Sequence, residues 1–183
     1  DELGTRYNEL MLGQCYLGMG QLDTAGRWFS DVISGSQVRG SVFYLDQAKA
    51  FLALSMLWSG RPGEAAAVLA DLDQKLVAAS SVAALATLWL DAVRGGKDRA
   101  TTGMIRRARS ASDRGHVIHA ARLLHAAARL GAASQAAPAL ASLATGSASG
   151  LLHAQAAHAA AEASSDRDAL VASGERWEAL GYN

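Results

Sequence analysis

The chain has 183 residues, about half of them apolar, and its 17 basic and 17 acidic side chains balance to zero net charge. That length can bury a sizeable core, as one ordinary domain or one short array, and the zero balance excludes a chain-wide field that would oblige a nucleic-acid or anionic-membrane partner. Alanine makes up roughly a fifth of the residues, with only two prolines and few β-branched side chains, so an all-α fold without strand is expected. No uncharged apolar run reaches the roughly 20 residues that span a bilayer, and no signal-peptide pattern opens the chain, so no membrane partner is expected. The lone Cys15 has no partner for an internal disulfide, which fits a cytoplasmic location. The chain begins with Asp1 rather than Met and stops at Asn183, which suggests a segment of a longer protein.

In chain order, apolar periodicity predicts helices over 3–19, 21–34, 41–59, 62–79, 81–94, 98–113, 116–130, 133–144, 148–163 and 166–180. Between the members of each pair lies one recurring spacing, a small residue followed five positions later by alanine. It runs Gly20 to Ala25, Gly60 to Ala65, Gly95 to Ala100, Gly131 to Ala136 and, with serine first, Ser164 to Ala169. The intervals of 40, 35, 36 and 33 residues are a repeat period. In each unit the glycine is expected to end one helix in the left-handed conformation that it enters without steric cost. The alanine admits close approach of the next helix, and a large residue four further on fills the gap: Phe29, Leu69, Met104 and Leu140, with Ser173 breaking the rule. Five hairpins follow, 3–34, 41–79, 81–113, 116–144 and 148–180. No such hairpin buries its apolar face alone, so a single stacked helical-repeat domain over 1–183 is expected.

The first hairpin carries Leu12-Gly13, Tyr16, Gly20, Leu22, Ala25 and Phe29, and these types at this spacing resemble the tetratricopeptide repeat. The second keeps Leu52, Ala53, Met56, Gly60, Ala65 and Leu69; later units keep little beyond the turn, the alanine and the large residue. The resemblance implies a tetratricopeptide-like α-solenoid. At the other end, the run from Asp168 to Gly181 (DALVASGERWEALG), behind alanine-rich hairpins, resembles the degenerate repeat region of bacterial LuxR-type, MalT-like transcriptional regulators. In that family the region lies between a nucleotide-binding module and a helix-turn-helix DNA-binding domain, and senses an effector or binds a partner. DNA would then be reached only through a domain outside this chain.

The candidate sites are binding sites. GGKDRAT from Gly95 lacks the earlier glycine of a phosphate loop, Asp91 standing there, and follows a helix rather than a strand, so Gly95 and Gly96 are a turn. Between Lys97 and Arg129, eight basic residues face two acidic ones; Arg106, Arg107, Arg109 and Arg114 could meet an anionic partner, the plainer alternative being a solvated face. All five histidines follow residue 115. His116 and His119 could share a helix face, but no neighbouring carboxylate or thiol completes a metal set, and neither metal nor any other cofactor is expected. Cys15 is expected to fill core against the neighbouring helix. With no GxSxG, HExxH or paired-carboxylate pattern, an enzyme is not expected.

The repeat frame projects one groove position through the five units, at Gln14, Leu54, Trp89, His125 and His158, with Tyr7, Gln47, Trp58, Arg129 and Glu162 near them. Aromatic groups beside an arginine are what binding hot spots favour; the alternative is that Trp58 and Trp89 pack between hairpins. The Lys, Arg and Asn clamp of peptide-binding tetratricopeptide domains is absent. The expectation is therefore a non-catalytic module, either the effector-sensing or protein-interaction region of a LuxR-type regulator, or a structural scaffold for protein partners or a homodimer with no small-molecule ligand. An accessory domain of a helical-repeat enzyme is the remote third reading.

Overall fold

The computed structural model describes residues 2–39, 44–72 and 80–182. Among them are ten α-helices and no strand: α1 (Glu2–Gly18), α2 (Leu22–Arg39), α3 (Leu45–Trp58), α4 (Pro62–Ala70), α5 (Ser81–Asp91), α6 (Lys97–Asp113), α7 (Val117–Ala127), α8 (Ala133–Ala144), α9 (Gly150–Ser164) and α10 (Arg167–Ala179). The end of the expected helix 62–79 and the start of 41–59 lie outside the described residues. The chain forms two compact units, 1–93 and 94–183, so the expected hairpin 81–113 gives α5 to the first and α6 to the second.

The recurring spacing is a chain-reversal device. Gly20 takes φ 74°, its N–H bonds Leu17 O at 3.2 Å, and the N–H of Gln21 bonds Tyr16 O at 2.9 Å, which satisfies the carbonyls left open at the end of α1. The same pair of bonds closes α3 at Gly60. Gly95 and Gly131 adopt the same hand at tight turns over Ala92–Gly96 and Ala128–Ala132. In all four, Ala25, Ala65, Ala100 and Ala136 are fully buried, as are or nearly are Phe29, Leu69, Met104 and Leu140 four residues on. The last turn departs from expectation: the left-handed residue is Ser165 (φ 54°), not Ser164. Asp166 caps α10 directly after it, its Oδ1 accepting from Asp168 and Ala169 N–H, so this turn is one residue out of register with the others.

In the first unit α1 packs on α2, α2 on α3, and α3 on both α4 and α5. Large side chains fill it: Phe29 and Phe51 stack at 5.4 Å and 13°, among buried Leu10, Leu17, Val32, Leu54 and Leu85. Gly13 is what lets α1 approach, since a Cβ there would lie 2.5 Å from Phe29 Cε1. Buried Ser55 donates from Oγ to Leu22 O at 2.7 Å, pinning α3 to the start of α2. Lys49, nearly buried, pairs through Nζ with Asp71 Oδ2 at 2.6 Å and ties α3 to the end of α4. In the second unit α6 packs on α7, α7 on α8, α8 on α9, and α9 on α7 and α10. Its core is largely alanine, from Ala108, Ala120 and Ala127 to Ala154 and Ala159, with Met104, Leu124, Leu140 and Leu152 between them.

Candidate functional site

The projected groove positions fall into both units. In the first, Gln14 is half-buried on α1, where Nε2 lies 3.8 Å from Met11 Sδ. Leu54 is 1 % exposed and belongs to the core, closed to any ligand while the unit is folded. Trp89 is also buried, and Trp58, half-buried, meets it edge to face at 5.8 Å and 70°. The tryptophans thus pack between helices α3 and α5, the plainer of the two alternatives for them. Tyr7 and Gln47 are exposed. An open, shallow depression beside α2 is lined by charges of both signs, Asp23, Arg27, Asp31 and Arg61, with Ser30 and Met56 between them.

The second unit brings its projected residues together. His125 on α7 and His158 on α9 lie 33 positions apart, one repeat, and His125 Nε2 meets His158 Nδ1 at 3.3 Å, one ring donating and the other accepting according to tautomer. Glu162, one turn along α9, places Oε1 3.8 Å from His158 Nε2. Arg129 stands exposed on the tight turn after α7. Three further residues complete the cluster. Trp177 of α10 stacks on the His125 ring at 5.4 Å and 27°, and Tyr182 meets Trp177 edge to face at 5.3 Å. Arg122, one turn before His125, is half-buried and interacts electrostatically with Tyr182.

Burial penalises charge throughout this cluster. It pushes His125 down to about 3, with His158 and Arg129 adding like-charge repulsion. His158 is lowered by burial too, against the pull of Glu162. Burial lowers the Arg122 guanidinium, Tyr182 opposing it, and both arginines stay cationic at any working pH. Both histidines are therefore neutral at pH 7, and the arrangement is a hydrogen-bonded imidazole pair roofed by an indole and bordered by two fixed cations. Such a group recognises by stacking and charge, as hot spots do.

His116 and His119 do share a face, their rings 6.0 Å apart edge to face, and both are exposed. Among the described residues no group of three or more His, Cys, Asp or Glu side chains could hold a metal ion. Arg106, Arg107, Arg109 and Arg114 are all exposed at the end of α6 and just beyond it. Cys15 corrects the expectation set for it: the residue is exposed, because Leu10, Gly13 and Leu17 turn the buried face of α1 toward α2 and leave position 15 outside. No described helix is long and apolar enough to cross a membrane.

The spacing placed His125, His158 and Arg129 on one side, and Glu162 follows from its i+4 relation to His158. Trp177 and Tyr182 were not projected because the repeat frame follows the first helix of each hairpin and α10 is a second helix, while Arg122 lies on α7 one turn away from the projected position. No protein-family model, no curated protein and no solved structure matches the chain.

Proposed function

We propose that this chain is a non-catalytic binding module of tetratricopeptide-like solenoid type, and that it serves as the effector-sensing or protein-interaction arm of a LuxR-type regulator. The solenoid reading is supported by one observation above others: four turns with a glycine in the same left-handed conformation, each followed by a buried alanine and a buried large residue at the same offsets. Modules so built bind along surfaces that successive repeats present together, because each repeat contributes the same helix position. The imidazole pair, with Trp177 and Arg129, supplies one such surface in the second unit, joining an aromatic roof to fixed positive charge. That combination favours an anionic or aromatic group on the ligand.

The regulator reading rests on the run from Asp168 to Gly181, which forms α10 and carries Trp177. The reading frame that encodes the chain decides it. A Walker motif on the N-terminal side and a helix-turn-helix domain on the C-terminal side are the expected result. A frame that lacks both overturns the regulator and leaves the binding module as a scaffold.

A further inference from the structure

Helix α10 is held differently from every other helix of its unit. Of its 13 residues only Ser173 is buried, and the Ser173 Oγ makes no hydrogen bond. Val171 and Leu180 are exposed at 58 % and 42 %. Its main packing partner is α9. What fastens its far end is Trp177 on the His125 ring, with Tyr182 N–H closing onto Trp177 O at 2.9 Å, and Leu180 lying against Gly150 where a Cβ would be 3.0 Å from Cδ2. An element with so little apolar burial sits at the low end of the local-stability range, so a small change at its fastening decides whether it is docked.

We propose that α10 is a proton-released latch, docked on His125 at neutral pH and let go on mild acidification, which opens His125 and His158 beside the already exposed Arg129 as one cationic face.

The chemistry runs in two steps. A first proton is accommodated at His158, whose Nε2 faces Glu162 and whose Nδ1 can donate to His125 Nε2. A second proton, on His125, leaves two N–H donors confronting each other and sets a new cation beside Arg129. Stacking of an imidazolium on the Trp177 ring returns about 0.5–2 kcal/mol. A buried charge without a counter-ion costs several, so the penalty wins. The groups facing His125 bear this out on every side. From α9 comes His158, with Glu162 lying against the far nitrogen of that ring, from the turn after α7 Arg129, and from α10 and the residues after it Trp177 and Tyr182, while Arg122 precedes His125 on α7 itself; the charged side chains of α10 (Arg167, Asp168, Glu175, Arg176 and Glu178) are exposed. Helix α8, packed on α7, has no titratable side chain. The charged side chains of α6 (Lys97, Asp98, Arg99, Asp113 and the three arginines already named) are all exposed.

The direction follows from linkage. With the helix docked, His125 takes its proton only near pH 3. With the helix away, one face of the ring is open to water and the group moves back toward its ordinary value near 6.5. The docked state therefore binds fewer protons across that window, and the docking equilibrium falls by up to about tenfold for each pH unit below 6.5. At pH 5 the shift is at most about thirtyfold by the same relation.

Hydrogen exchange on the unmodified chain at pH 7.5 and pH 5.0, corrected for intrinsic exchange rates, tests this. Peptides covering 167–182 should lose protection by more than tenfold at the lower pH, while those covering α7 and α9 keep theirs. In His125→Gln, which cannot take the proton, the pH step should vanish. If that variant does not fold, titration of the His125 ring resonance in the unmodified chain replaces it, and its midpoint should coincide with helix release. Unchanged protection at pH 5.0, loss in parallel with α7 and α9, a pH step that survives in His125→Gln, or a His125 midpoint near 6.5 with the helix still protected would each overturn the proposal.

Discussion

The two units solve the same problem of packing short helical hairpins with different materials. Residues 1–93 contain 14 alanines and fill their interior with Phe29, Phe51, Leu54 and Trp89, whereas residues 94–183 contain 26 alanines and no phenylalanine. In the first, a few large side chains occupy notches, as Phe29 does beside Gly13. In the second, helices approach on alanine faces, with Met104, Leu124, Leu140 and Leu152 between them. The first is therefore vulnerable to loss of volume and the second to gain of it. All five histidines lie in the second unit, so only one of the two carries an imidazole response to acid.

Mutations can break or sharpen that contrast. The largest effect is expected for Phe29→Ala, which empties the stack on Phe51 and should cost about 3–5 kcal/mol, read by urea denaturation as early loss of the first unit. A loss under about 1 kcal/mol would show that the notch is not the organising contact. The converse, Ala136→Leu in the second unit, forces a larger side chain into a fully buried site between α8 and its neighbours, with an expected cost of about 1–3 kcal/mol. Its effect should be confined to protection of α7, α8 and α9 in hydrogen exchange.

Acidification separates the units without mutation. His125 and His158 have pKa values below the ordinary 6.5, so the folded second unit binds fewer protons than the unfolded chain once pH falls through that value. Stability is full above it and declines below it, by no more than the free energy with which α10 is docked, because release of that helix returns His125 toward its ordinary value. Thermal melts between pH 7.5 and 5 should show the second unit's transition descending while the first, which lacks histidine, moves much less. Equal descent of both would refute the assignment. The smallest effect is a gain: Ser173→Ala deletes a buried hydroxyl that has no hydrogen bond and should stabilise α10 by about 1 kcal/mol. A loss of similar size would mean that the hydroxyl has found a partner in solution.

Much of this was legible in the sequence, for identifiable reasons. The turn residue and the alanine five positions later fix where helices end and how close they come, so most boundaries fell within a few residues of those observed. The 33-residue step from His125 to His158 was enough to bring two rings together. The division near residue 93 was not legible, because Gly95 continues the same spacing without interruption. Leu54 was projected into a groove because the frame counts helix position and takes no account of α3 being covered by α2, α4 and α5 together. Trp177 escaped because the projected position runs along the first helix of each hairpin, and α10 is the second helix of its own.

The alanine faces have a mechanical consequence. Interdigitated side chains make a keyed joint, and the Phe29 ring seated at Gly13 resists any sliding of α1 along α2, since displacement means lifting the ring over its neighbours. Methyl groups make shallow ridges, so α8 and α9 can shear past one another by fractions of a turn while exchanging one set of equivalent contacts for another. Deformation under load should accordingly concentrate between α8 and α9 of the second unit rather than between α1 and α2 of the first.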